Sequence, residues 1–304
     1  MKLFLKLFII IFFFKGLSAN AQDNGNRVIK LFPAGTVLKA NIPYANDTLK
    51  RHQFDFYLPV NAKPNLPLVV WLHGGAWDHN DQCGDMSYMK NTISAMLNNG
   101  FAVASIAYRY STESVYPQIV QDCNTAVEFL YQNGDKYGID KNKIALMGFS
   151  AGGYLANMVA LTQNSGIKVF MASTAQKSFK IKAVVDFYGP VDLVSMTKRG
   201  EELDPKNSIT QLLGASPIDR PDLAKFASPI TYVDKNDPPF LIINGEKDES
   251  VSYLQSKLLG SYLTLAGVKN EVIVVKDAPH YGDMFDVDTI KNKVLDFLTE
   301  HLKK

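Results

Sequence analysis

A chain of 304 residues, 46% of them apolar and 11% aromatic, is long enough for one large or two ordinary domains with a sizeable core. Its 32 Lys and Arg nearly balance 30 Asp and Glu, which removes the electrostatic case for nucleic acid or an anionic membrane as partner. No linker composition, low-complexity tract or internal repeat divides it, so one α/β domain is the simplest expectation.

The N-terminus stands apart. It begins with Lys2 and Lys6, continues through the apolar residues 7–14, and closes on the small residues Ser18-Ala19-Asn20-Ala21. That order reads as a signal peptide over 1–21, cut after Ala21, and predicts a secreted or periplasmic protein whose domain is 22–304. The apolar run is short for a bilayer span and is broken by Lys15, and Gln22 offers no thiol for a lipid, so no stable membrane anchor is expected. Loss of Lys2, Lys6 and Lys15 leaves 29 basic against 30 acidic residues.

Residues 22 to about 50 are polar and turn-rich and are expected to be irregular; 54–58 alternates like an edge strand. The run 66–72 is apolar throughout, as in a buried parallel strand, and stops at His73-Gly74-Gly75-Ala76-Trp77. A helix is expected over 86–97, a strand over 101–107 ending at Tyr108-Arg109-Tyr110, and a helix over 119–133. A short apolar strand then ends in Gly148-Phe149-Ser150-Ala151-Gly152 and passes directly into an Ala-rich helix reaching about 163. Further strands are expected at 181–188, 240–244 and 271–275, with helices over 253–266 and 289–302. Alternating strands and helices mean a mostly parallel sheet covered on both faces, with its chemistry at the carboxyl ends of the strands. Residues 190–236 break the rhythm: a charged stretch from Lys198 to Glu202 precedes short helical pieces at 209–213 and 223–226, read as a small cap or rim.

The strand–turn–helix around Ser150 is the chemical centre. A serine at such a sharp turn presents its Oγ outward, and the N–H groups of the following helix favour negative charge there. A hydroxyl needs a base to take its proton as it attacks. His280, in the loop after the last strand, is the candidate; His52 before an edge strand and His301 near the C-terminus read as surface residues, and His73 as a brace for its own loop. Asp248, in the loop after the preceding strand, is the carboxylate that would orient the imidazole, with Glu246, Glu249 and Asp192 as alternatives and Asp277 and Asp283 disfavoured by their nearness in sequence to His280. Backbone N–H groups of Gly75, Ala76 and Ala151 are the candidate oxyanion donors. Trp77, Tyr108, Tyr110, Phe149, Tyr188 and Tyr281 sit in or beside these loops; all but Tyr108 are taken as candidate substrate-binding residues. No cofactor is called for, and Cys83 and Cys123 lack metal-site spacing. An exported protein permits a disulfide between them, but Cys123 falls on an inward helix face and reads as a buried thiol.

From position 58 onward the chain resembles the esterase/lipase branch of the α/β-hydrolases, most closely the secreted acetylesterase and feruloyl-esterase-like group labelled BD-FAE. The resemblance rests on His73-Gly-Gly-Ala-Trp77, Tyr108-Arg109, Tyr137-Gly-Ile-Asp140, Gly148-Phe-Ser-Ala-Gly-Gly153, Ala227-Ser-Pro-Ile-Thr-Tyr-Val233, Pro238-Pro-Phe-Leu-Ile-Ile-Asn-Gly-Glu-Lys-Asp248 and Ala278-Pro-His280. It implies ester hydrolysis through an acyl-enzyme, on acetyl or feruloyl groups carried by plant polysaccharide, with Ser150, Asp248 and His280 in the chain order of that fold. It also implies a structural pair between Arg109 and Asp122. Ala76 stands where hormone-sensitive-lipase relatives have a third glycine, which narrows the pocket and leaves the backbone donor intact. The His-Gly-Gly-x-Trp form is shared with kynurenine formamidase-like enzymes, against which the leader argues. A serine peptidase or amidase of the same fold, and a binding protein without activity, are the remaining alternatives.

Overall fold

Strands that are apolar on both faces are stable only where both faces are covered, and here they lie side by side in one eight-stranded sheet. The computed structural model describes residues 26–171, 179–197 and 204–303. The leader expected over 1–21 and the charged stretch from Lys198 to Glu202 lie outside the described residues. In chain order the first half contains α1 (Asn26–Ile29), β1 (Val37–Pro43), β2 (Gln53–Leu58), β3 (Leu66–Leu72), α2 (Lys90–Asn98), β4 (Ala102–Ile106), α3 (Gln118–Gln132), α4 (Gly134–Tyr137) and β5 (Ile139–Phe149). The second half contains α5 (Ala151–Thr162), β6 (Ile181–Phe187), α6 (Ser208–Leu213), α7 (Pro221–Phe226), β7 (Phe240–Gly245), α8 (Tyr253–Leu265), β8 (Asn270–Val275) and α9 (Asp288–Leu302). The sheet order is β1-β2-β4-β3-β5-β6-β7-β8. β2 is antiparallel to both its neighbours, and every other adjacent pair is parallel.

Alternation along each strand divides the apolar side chains between two cores. Leu68, Val70 and Leu72 of β3 pack with α3, α5 and α8 through residues such as Cys123, Leu155 and Leu259. Val69 and Trp71 of the same strand pack with α2 and α9 through Ile93, Met96, Val294 and Leu298. All twelve residues of α5 are buried, which is why its sequence carries no polar face.

The N-terminal edge differs from the sequence expectation. β1 occupies the edge, and β2, expected there, is internal, with Phe54, Phe56 and Tyr57 fully buried. β1 left a weak signal because it alternates only between exposed and half-buried residues and its register shifts between Lys39 and Ile42. Asn41 in that irregularity has φ 54°, and its N–H donates to the fully buried Asp55 at 2.8 Å. The helix expected from residue 86 begins at Lys90, although Met86 and Met89 are fully buried. Neither cysteine is in a disulfide and both are buried; burial raises the pKa of Cys83 to about 12.

Candidate active site

Ser150 sits between β5 and α5 with φ 51° and ψ −116°, a region that costs an L-residue roughly 1–3 kcal/mol. The surrounding glycines make that turn possible by close approach. A Cβ on Gly148 would fall 2.1 Å from the Gly152 carbonyl oxygen, and one on Gly152 would fall 2.1 Å from that of Leu72. The first turn of α5 is thereby pressed against the end of β3, which brings the 73–77 loop beside the serine. A Cβ on Gly74 would lie 3.5 Å from Ser150 Cβ.

The loops after β7 and β8 are brought together in the same way: a Cβ on Gly245 would lie 2.3 Å from the carbonyl oxygens of Ala278 and Pro279, and the Lys247 N–H donates to Ala278 O at 2.9 Å. These contacts deliver His280 and Asp248 to the serine. His280 Nε2 is 2.8 Å from Ser150 Oγ, and His280 Nδ1 is 2.7 Å from Asp248 Oδ2. Because an ionised carboxylate only accepts, the proton lies on Nδ1 and Nε2 is left to accept from the serine hydroxyl. The other Asp248 oxygen accepts the N–H groups of Ser250 and Val251 at 2.9 and 2.8 Å, so this side chain is held at both oxygens.

The alternative carboxylates serve elsewhere. Asp277 is 2.5 Å from Lys247, Glu246 accepts the Asp277 N–H, Asp192 accepts the Val194 N–H, and Glu249 and Asp283 are exposed. Two histidines differ from expectation. His52, read as a surface residue, is buried, with Nδ1 2.6 Å from Asp47 and Nε2 3.1 Å from Asp122; burial opposes its charge, but the two carboxylates raise its pKa overall. His301, also read as exposed, is half-buried on α9 against the ring of Phe297. The pair implied by resemblance is present: Arg109 Nε and Nη2 lie 2.8 and 2.6 Å from Asp122.

The 73–77 loop turns through three consecutive left-handed residues, Gly75 (φ 115°), Ala76 (φ 49°) and Trp77 (φ 62°). Gly75 is required there, since a Cβ would fall 2.4 Å from His79 O. His73 braces the loop from a fully buried position. Its Nδ1 donates to Gly74 O at 2.7 Å and its ring stacks on Tyr108 at 4.3 Å, whose hydroxyl donates to His73 O at 2.6 Å. Burial lowers the His73 pKa to about 4.

Ser150, His280, Ala76 and Ala151 open onto one cavity of about 630 Å³, while Gly75 sits one residue behind its wall. Of the candidate substrate-binding aromatics, Trp77 and Tyr281 line it. Phe149 and Tyr188 do not: Phe149 is stacked on Phe187 in the core, and the buried Tyr188 lies behind His280 with ring centroids 4.8 Å apart. Tyr110 lines a neighbouring cavity of about 900 Å³ and donates its hydroxyl to Asn80 O. Residues not singled out by the sequence complete the first cavity: His79 and Asn80, Asp85 and Tyr88, and Pro190, Met196, Asn207, Ser208 and Ile209 from the 190–236 excursion. They carry no motif, because a polar turn and a short amphipathic helix look the same on any surface.

The strand order and the strained serine turn place this molecule among the α/β-hydrolases. Within that fold, the family model BD-FAE matches residues 54–263, and the chain belongs to the BD-FAE family. It is similar to esterase LipC of Mycobacterium tuberculosis, 31% identical over 231 residues, covering 74% of this chain and 54% of that protein. The chain spans about half the length of the curated relatives it matches. Among solved structures it is similar to a truncated form of a carbohydrate esterase from gut microbiota (TM-score 0.80, 31% identity, 90% of this chain and 99% of that one). It is also similar to a bifunctional GH43-CE protein of Bacteroides eggerthii (TM-score 0.78, 31% identity, 87% of this chain and 35% of that one).

Proposed function

We propose that the protein is a secreted serine carboxylic-ester hydrolase that works through an acyl-enzyme on short-chain or aromatic acyl esters of carbohydrates. The observation that carries this reading is the unbroken pair of hydrogen bonds from Ser150 through His280 to Asp248 at the mouth of a cavity. Relatives named as esterases support ester hydrolysis, and a structural neighbour named as a carbohydrate esterase supports the substrate class.

In this reaction Ser150 Oγ attacks the ester carbonyl carbon while His280 Nε2 takes its proton. Asp248 keeps the imidazole in the accepting tautomer and stabilises the imidazolium that forms. The backbone N–H groups of Ala76 and Ala151, with Gly75 adjoining, receive the tetrahedral oxyanion, and the positive end of α5 adds to their effect. The adduct collapses, the alcohol leaves with the proton from His280, and acyl-Ser150 remains until water, deprotonated by the same imidazole, releases the acid. A cavity of about 630 Å³ has room for an aromatic acyl group as well as an acetyl group, with Trp77 and Tyr281 as its aromatic walls. Pro190, Met196, Asn207, Ser208 and Ile209 form the rim on one side of it.

Hydrolysis rates on p-nitrophenyl acetate, butyrate and octanoate and on peptide anilides, followed by acetylated xylan and methyl ferulate, test this function. The expected result is fastest turnover on acetate or ferulate, none with Ser150→Ala, and kcat lower by about 10⁴-fold with Asp248→Asn at unchanged melting temperature. Faster cleavage of anilides than esters would make it a peptidase or amidase, and folded protein inert on every ester would make it a binding protein.

A further inference from the structure

Asp85 is a carboxyl group on the cavity wall to which the proposed reaction gives no task. Its two oxygens are both engaged by groups that border the reacting atoms. Oδ2 accepts the Gly74 N–H at 2.6 Å, and Oδ1 accepts the Tyr88 hydroxyl at 2.6 Å. With the one Tyr88 hydrogen committed to Asp85, the contact of 2.9 Å between the Tyr88 and Tyr188 hydroxyls is donated by Tyr188, whose ring lies 4.8 Å from that of His280.

The bond to Gly74 matters because of which peptide it fixes. The peptide joining His73 to Gly74 has its carbonyl held by the Tyr108 hydroxyl at 2.6 Å and its N–H held by Asp85, so it is pinned at both ends. The next peptide has its carbonyl, Gly74 O, held by His73 Nδ1 at 2.7 Å and by Asn80 Nδ2 at 3.3 Å, which turns the Gly75 N–H the opposite way. Two adjacent glycines would otherwise let these planes rotate freely. Asp85 itself is placed by the core. A Cβ on the preceding Gly84 would lie 2.8 Å from His73 Cβ, and the Trp71 indole N–H donates to Gly84 O at 3.1 Å.

We propose that Asp85 is a positioning residue for ester hydrolysis: by holding the Gly74 N–H it fixes the peptide from which the Gly75–Ala76 donor segment runs, and through Tyr88 and Tyr188 it braces the imidazole of His280. This rests on the hydrolase reading above. Partial withdrawal from water raises the Asp85 pKa, while the Gly74 N–H and the Tyr88 hydroxyl favour its charged form.

The test compares wild type, D85N and D85A on p-nitrophenyl acetate and in binding of phenylboronic acid, whose tetrahedral serine adduct occupies the oxyanion site. Losing one oxyanion donor costs about 10²–10³ in rate, so misaiming without removal is expected to lower kcat about 100-fold in D85A, with KM within threefold. D85N keeps one acceptor for Gly74, and its amide can donate to Tyr88; its neutral oxygen is the weaker acceptor, so a loss of about tenfold is expected. Boronate affinity is expected to fall in the same order and by similar factors, at melting temperatures close to wild type. A purely structural role would lower the melting temperature and leave boronate affinity per folded molecule intact, and that outcome overturns the proposal. So does wild-type kcat in D85A. If D85A does not fold, D85N decides: unchanged kcat and boronate affinity overturn the assignment. Wild type inert towards every ester overturns the hydrolase reading, and boronate binding across the three proteins then still reports whether Asp85 aims the donors.

Discussion

The imidazole of His73 shows what a single buried titratable residue does to stability. It is fully enclosed, flat against Tyr108, and burial depresses its pKa from the usual 6.5 to about 4. The unfolded chain takes up a proton near pH 6.5 that the folded chain refuses until about pH 4, so stability is complete above pH 6.5 and falls as pH drops through that window. Between pH 7.5 and 5 the expected loss from this group is about 2 kcal/mol. Urea unfolding of wild type and His73→Gln at both pH values measures it. The variant is less stable at pH 7.5 but loses about 2 kcal/mol less on acidification; equal losses in the two proteins would remove His73 as the source. The bracing role of His73 was legible in the sequence from the glycines that follow it. The burial of His52 was not, because its partner Asp122 is 70 positions away on α3.

Among the elements, α2 shows why helix boundaries escape local pattern. Its capping position, Met89, offers no side-chain acceptor. Asp286, nearly 200 residues later, supplies it by accepting the N–H groups of Asn91 and Thr92 at 2.7 and 2.8 Å and the Thr92 hydroxyl at 2.7 Å. A boundary decided by so distant a residue leaves no mark near position 90, and apolar spacing alone set the expected start too early. The same bond ties α2 to the segment that follows the His280 loop, where Phe285 packs against Tyr188. Asp286→Ala leaves two helix N–H groups and a hydroxyl without their acceptor, and is expected to destabilise the protein by about 1–3 kcal/mol. Denaturant unfolding checks the size, and hydrogen exchange at Asn91 and Thr92 checks the place. A change below about 0.5 kcal/mol would mean that water replaces the carboxylate at little cost.

For the molecule as a whole, one cavity gathers residues from distant parts of the chain: 76–88, 150–151, 190–196, 207–209, 250–251 and 280–281. The export proposed for it predicts that protein made with its own leader in a bacterial host leaves the cytoplasm with an intact mass corresponding to Gln22 at the N-terminus; a mass corresponding to Met1 would refute it. What the sequence by itself determined is whatever short-range chemistry writes plainly. Uninterrupted apolar runs marked β3 and β7, a serine with a glycine two residues away on either side marked the strained turn, and the loops after the last two strands offered one histidine and, among several carboxylates, Asp248. Tertiary structure alone decided the remainder. Phe149 and Tyr188 adjoin reactive loops in sequence, yet Phe149 continues the alternation of β5 into the same core as Ala145 and Met147, and Tyr188, past the end of β6 with φ 46°, packs into that core beside Phe187 and behind His280. Asp85 and Tyr88 look like ordinary turn residues until the packing of Gly84 on His73 turns a carboxylate towards the Gly74 amide. Period and propensity reach a few residues along the chain, whereas a cavity wall is set by which surfaces a folded sheet and its helices bring into contact.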